Sequence, residues 1–244
     1  MHIFLILILP LVAQTQNSPL DRQKPDVQLA HWATDHDTTR DSALSTLAWA
    51  IRDRTSVAAD PVPVALDPNN TARLFEYPLL VVHGSMAIPA PRPETLSALR
   101  DYISLGGLLW FDLSEGDVEG PFHRSAKQLL ATLVPAGKIQ RLSPDHVLYK
   151  TFYLLKHHGG RVPRHAYMEA LVRDNRLLAV ITTNDILGAL AKNEQDDWRF
   201  DAGTGGDHAR EMSLRVGINM VMYALCLDYK TDQVHIPFIL KRRK

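Results

Sequence analysis

Along the first half of this chain, short unbroken apolar runs alternate with apolar positions spaced three and four apart. The runs suit strands buried on both faces, and the spacing suits helices laid against them, so the pattern predicts a parallel α/β sheet. The fullest unit is Glu76 to Asp112, EYPLLVVHGSMAIPAPRPETLSALRDYISLGGLLWFD. Leu79 to Val82 reads as a strand. A helix opens near Pro93-Glu94, because proline is tolerated in a first turn and Glu94 suits the positive helix end. Leu96, Leu99 and Ile103 form its buried stripe, Gly106-Gly107 stops it, and Leu108 to Phe111 is the next strand. So compact a joint favours a right-handed parallel crossover.

Upstream, Val27 to Ala30 predicts a first strand, succeeded by a polar loop with His31, Asp35 and His36. Thr39 or Asp41 is placed to cap a helix running to about Arg52, with Leu44, Leu47, Ala48 and Ile51 on one face. Val62 to Leu66 is a short second strand. Beyond Ile139 the pattern changes. Ile139 to Leu142 reads as a strand and SPDHVLYKTFY as an irregular, aromatic-rich segment. Met168 to Arg173 and Leu177 to Thr183 flank the turn pair Asp174-Asn175, which predicts an antiparallel hairpin. Lys192 to Asp207, rich in acids and glycines, is a loop. Ala209 to Leu227 carries two apolar stripes and reads as a core helix packed on two sides. Residues 26–244 are expected to form a single domain.

The N-terminal MHIFLILILPLVA has the length of a secretory h-region, ~7–15 residues, rather than the ~20 of a membrane span. It predicts a signal peptide or N-terminal anchor over residues 1–20, hence an exported protein, periplasmic or held at a membrane through that segment. Lys plus Arg and Asp plus Glu number 27 each, so the net charge is zero and no nucleic-acid partner is indicated. Cys226 is the single cysteine, which rules out an internal disulfide and Cys-rich zinc chemistry. Its neighbours Met222, Leu225 and Leu227 predict a buried, inert thiol.

Parallel strands bring the residues at their carboxyl ends to one edge of the sheet. That edge gathers His31 and His36, then His83 with Gly84, then Asp112 with Ser114, Glu115 and Asp117, and finally Asn184 and Asp185. Imidazoles and carboxylates so placed suit a divalent metal, acid–base chemistry, or hydrogen bonding to a polyhydroxylated ligand. The plainer reading is that Asp and Asn after strands cap the next helices. DLSEG has Asp112 where a nucleophile elbow needs its first glycine, which argues against Ser114 as a nucleophile. The acids from Asp112 to Glu119 lack the calcium-loop pattern, and His157-His158-Gly159-Gly160 reads as a surface turn. No phosphate loop, HExxH or GxGxxG occurs.

Five separated blocks, EYPLLVVHGS…LRDYISLGGLLWFD, SPDHVLYKTFY, TTNDILGAL, SLRVGINMVMYAL and VHIPFILKRRK, resemble, in the same order, a bacterial family of domains of unknown function, DUF4159. The resemblance implies a fold similar to class I glutamine amidotransferases, a flavodoxin-like three-layer α/β sandwich with a mainly parallel sheet. The amidotransferase cysteine is missing from DLSEG, so the resemblance carries architecture without ammonia-releasing chemistry. It also supports the edge at His83-Gly84 and Asp112 as the shared site. The expectation is a non-catalytic exported domain that binds a small ligand or an envelope protein at that edge through His83, Gly84, Asp112, Ser114, Asp117, Asn184 and Asp185, with no obligatory cofactor. The alternative is a metal-assisted hydrolase of sugars or cell-envelope material, with His31, His36, His83, Asp112 and Asp185 as the ligands of a divalent metal.

Overall fold

A computed structural model of the chain describes residues 26–32, 38–156, 158–174 and 176–241, the last fourteen of these by their backbone alone. The N-terminal segment, Asp35, His36, His157 and Asn175 lie outside the described residues. No helix among the described residues is long and apolar enough to cross a membrane.

Among the described residues, seven strands form one sheet: β1 (Ala30–Trp32), β2 (Val64–Leu66), β3 (Leu79–Gly84), β4 (Leu108–Leu113), β5 (Lys138–Arg141), β6 (Glu169–Arg173) and β7 (Arg176–Thr182). Their order is β2-β1-β3-β4-β7-β6-β5. The first five in that order are mutually parallel, and β6 pairs antiparallel with both β7 and β5. The parallel part therefore has the flavodoxin-like order, with β7 as its fifth strand. The fold is an α/β sandwich, as the sequence implies.

Successive residues of a strand face opposite sides. Leu79, Val81, Leu108 and Trp110 enter one core, with α1 (Ser42–Arg54), α4 (Ile186–Leu190) and the first half of α5 (Gly206–Lys241). Leu80, Val82, Leu109 and Phe111 enter the other, with α2 (Pro93–Ser104) and α3 (Pro121–Leu133). The chain leaves β1 through α1 on one face, reaches β2, returns to β3 on the far side of β1, and leaves through α2 on the opposite face. The winding thus reverses between β1 and β3.

Two helices add to the elements that the sequence predicts. Helix α3 starts on Pro121 and buries Phe122, Ala126, Leu129, Leu130 and Leu133, a helical spacing legible in principle. Helix α4 spans only five residues, too short for periodicity to reveal. The aromatic-rich segment after β5 provides the second contact of α5. Asn219 on that helix accepts a hydrogen bond from Tyr153 N at 2.7 Å and donates to the carbonyls of Leu148 and Tyr153. The loop 192–207 is laced down: Ser42 Oγ bonds both backbone groups of Lys192, and Arg210 donates to the carbonyls of Ala189 and Phe200.

The expectation for Cys226 is corrected. Its side chain is exposed, because Glu211, Arg215, Met222 and Cys226 share the less buried stripe of α5 at spacings of four, seven and four.

Candidate metal centre

At the carboxyl ends of β1 and β3, three side chains converge. On β1, Ala30 and Trp32 point into the α2/α3 core, so His31 between them points toward α1. On β3, alternation places His83 on the same face as Leu79 and Val81. Asp41 immediately precedes α1, whose first turn comes over these strand ends. It occupies the expected capping position, yet its side chain makes no capping hydrogen bond. Its carboxylate turns to the histidines instead: Oδ1 lies 3.1 Å from His83 Nε2 and 3.7 Å from His31 Nδ1.

One ligand atom from each of His31, Asp41 and His83 lies within 4.8 Å of the other two. The imidazole rings stack, with centroids 6.0 Å apart. Both histidines are buried, whereas 35% of the Asp41 side chain is open to solvent. Burial lowers the pKa of His31, with the charge of His83 acting in the same sense and Asp41 opposing both. Burial thus favours the neutral imidazole of His31, the form that metal ligation demands. His83 Nδ1 is buried with no hydrogen-bond partner among the described residues. An orphaned buried polar atom is costly and uncommon in a folded protein. The crevice is also the point where strand order reverses, the place where open α/β sheets bind ligands.

The neighbouring stretch of the same edge is closed. His83, Asp112 and Thr182 lie side by side across β3, β4 and β7. Asp112 is fully buried and accepts from Thr182 Oγ1 at 2.6 Å, Ile186 N at 3.1 Å and Leu187 N at 2.7 Å. It thereby holds the start of α4. Burial and then the nearby charge of Asp185 push its pKa up to about 6 against those hydrogen bonds. Asp185, at a left-handed φ of 57°, accepts from Gly188 N and binds Arg40 through two nitrogens at 2.7 and 2.8 Å. Arg161 adds a bond of 2.6 Å to the same carboxylate. Burial alone would raise the Asp185 pKa, but the hydrogen bond and charge of Arg40, with the charge of Arg161, hold it below the ordinary value. Glu115 bonds both arginines, and Phe200 from the 192–207 loop lies over both guanidiniums at 4.5 and 4.9 Å.

The other residues singled out in the sequence fall in several places. Ser114 is buried with its Oγ unpartnered among the described residues, and the left-handed residues of that turn are Glu115 and Gly116 rather than the serine. The serine is therefore not displayed as an elbow nucleophile. Asp117 is exposed and closes the turn before α3 through Glu119 N at 3.0 Å, apart from the metal cluster. Asn184 is occupied by Gly159 O, His165 O and His165 N. Gly84 gives room to a ring: a Cβ there would stand 3.2 Å from Phe122. His36 lies outside the described residues, and His31 is one of the three side chains of the cluster. Two participants are not evident from sequence. Asp41 has the position of a cap, although its place ten residues after His31, in the first strand–loop–helix unit, is a usable signal. The role of Arg40 has no signal, since nothing local marks a surface-type residue as buried.

No curated protein matches the chain. Residues 27–225, which take in all seven strands and run well into α5, match the family described as Domain of unknown function (DUF4159), and the chain belongs to that family.

Proposed function

We propose that this domain binds a divalent transition metal through His31, Asp41 and His83, and through that ion an external ligand at the β1/β3 edge. The carrying observation is the convergence of two imidazoles and one carboxylate within 4.8 Å at the switch point of the sheet. Two nitrogens and one oxygen suit zinc or iron rather than magnesium or calcium, which prefer all-oxygen shells. Three protein ligands with a solvent-facing Asp41 leave coordination positions for water or for a ligand atom from outside. The ion would polarise that ligand as a Lewis acid, while the buried histidines fix its position.

Binding is favoured over metal-assisted hydrolysis. Among the described residues, Asp112, Glu115 and Asp185 on the closed side are all held by backbone donors or arginines rather than left to activate a water. The hydrophobic N-terminal segment supports export as the setting in which the ligand is met.

The test is elemental analysis of the full chain, purified without chelator or polyhistidine tag and dialysed against zinc. About one equivalent in the wild type, lost in His83→Ala and in Asp41→Ala, is the expected result. No retained metal, or retention unchanged in both variants, would overturn the proposal.

A further inference from the structure

A second concave site opens on the other side of the Arg161–Asp185 network. It is a cleft of about 520 Å³ between the strap 158–166, together with Lys156, and the start of α5. That volume lies within the ~300–1,000 Å³ usual for small-molecule sites. The side chains that set its character are Lys156, His158, Arg164, His165 and His208, and no Asp or Glu among the described residues lines it. A cleft of similar size at the opposite end of the sheet is different: there Asp101 and Asp174 stand among Arg100, Arg173 and Arg176, and the charges offset one another. Of these two clefts, the first alone gathers one sign. A concave surface lined by one sign of charge focuses its field on a ligand of the other.

The floor of this cleft is built, not draped. Asn184 pins the strap at both ends, donating to Gly159 O and His165 O and accepting from His165 N. Gly160, at a φ of +98°, runs so close that a Cβ would fall 2.1 Å from the carbonyl of Asn184, and its N–H donates to Ser213 Oγ on α5. His165 is oriented by Gly116 O at 3.1 Å, and His158 by Tyr149 Oη at 3.3 Å. Arg164 and Lys156 project from this fixed frame, and among the described residues neither is engaged in an ion pair. Thr204 and Gly205, just before α5, and His208 in its first turn bring the positive end of a long helix to the same wall.

We propose that this cleft binds a small molecule bearing a phosphate or carboxylate group, with Arg164 and Lys156 contacting the oxyanion. The site is separate from the metal centre: none of its lining residues is His31, Asp41 or His83.

The test is calorimetric titration of the full chain at low ionic strength with glycerol phosphate and, separately, with succinate. Saturable binding of either probe at one site is expected, with affinity at least tenfold weaker in Lys156→Ala/Arg164→Ala. Saturation by glycerol phosphate alone would identify the natural ligand as a phosphate, and by succinate alone as a carboxylate. Both variant positions are at the surface, and the double variant should still retain its equivalent of zinc, which separates failure here from failure at the metal centre. Saturation by neither probe, or equal binding in the double variant, would overturn the proposal.

Discussion

Two stretches of one sheet edge, adjacent in space and both rich in ionisable side chains, have opposite fates. At β4 and β7, each carboxylate meets its donors within the protein: Asp112 is met by a hydroxyl and two backbone N–H groups, and Asp185 by two arginines. At β1 and β3, the half-open Asp41 carboxylate is shared by two buried imidazoles, and a ring nitrogen of His83 has no partner among the described residues. Both are rich in ionisable side chains, carboxylates and arginines in the first and imidazoles with one carboxylate in the second. What separates them is how those ionisable groups are met, since the one unpartnered atom of the closed stretch, Ser114 Oγ, belongs to a neutral hydroxyl. Carboxylates that are fully met are elements of structure, whereas an ionisable group left open is where the proposed site lies.

The comparison can be broken first at Asp185. Removing it in Asp185→Ala leaves two largely buried guanidiniums without their main counter-charge, a loss of about 3–5 kcal/mol for a buried pair. A chain of this size should then melt about ten degrees lower, at roughly 2–4 °C per kcal/mol. Asp41→Ala, which removes a carboxylate from the open stretch, should move the melting temperature far less. Equal losses would erase the distinction between the two regions.

Zinc should stabilise through the open stretch alone. At a hundredfold excess over its dissociation constant, an ion that binds the native state adds about 2.7 kcal/mol. Wild-type protein should show that upward shift in thermal melts, and His83→Ala should show none. A shift that persists in His83→Ala places the metal elsewhere.

Asp112→Asn comes next. An amide cannot accept all three of the hydrogen bonds that the carboxylate accepts, so one buried donor loses its partner, at a cost of about 1–3 kcal/mol. Urea unfolding measures it, and an unchanged midpoint would show that Asp112 does not hold α4.

The smallest expected effect lies on the α3 side. Burial opposes ionisation of Glu169, but its bonds to His123 and Lys127 prevail and hold its pKa below 4.5. A carboxylate with a depressed native pKa lends stability that is complete above the unfolded value and is lost as pH falls through the native one. The urea midpoints of wild type and Glu169→Gln should therefore differ at pH 6 and converge as pH falls below about 4.5. A gap that stays constant down to about pH 3 would contradict the assignment.

Much of the fold is legible because its signals are local. The runs LLVV and LLWF, Pro93 and Gly106-Gly107 each act within a few residues, and β3, α2 and β4 form where those signals place them. The hairpin at Asp174-Asn175 is legible for the same reason. The candidate site is legible only as a region. Strand ends bring His31, His83, Asp112, Asn184 and Asp185 to one edge, but their roles depend on partners distant in the chain. Arg40 reaches Asp185 across 145 positions, and Asp112 reaches Leu187 across 75. No periodicity encodes such a pairing. Asp41 shows the same limit in reverse, since a position ideal for capping is turned toward two histidines.

The most direct test of the metal centre is anomalous diffraction from crystals of the full chain grown with zinc, recorded on either side of the zinc absorption edge. The account predicts one strong anomalous peak between the ends of β1 and β3, within about 2.3 Å of an atom from each of His31, Asp41 and His83. A peak confined to other residues, or none there at full zinc occupancy in solution, would contradict it.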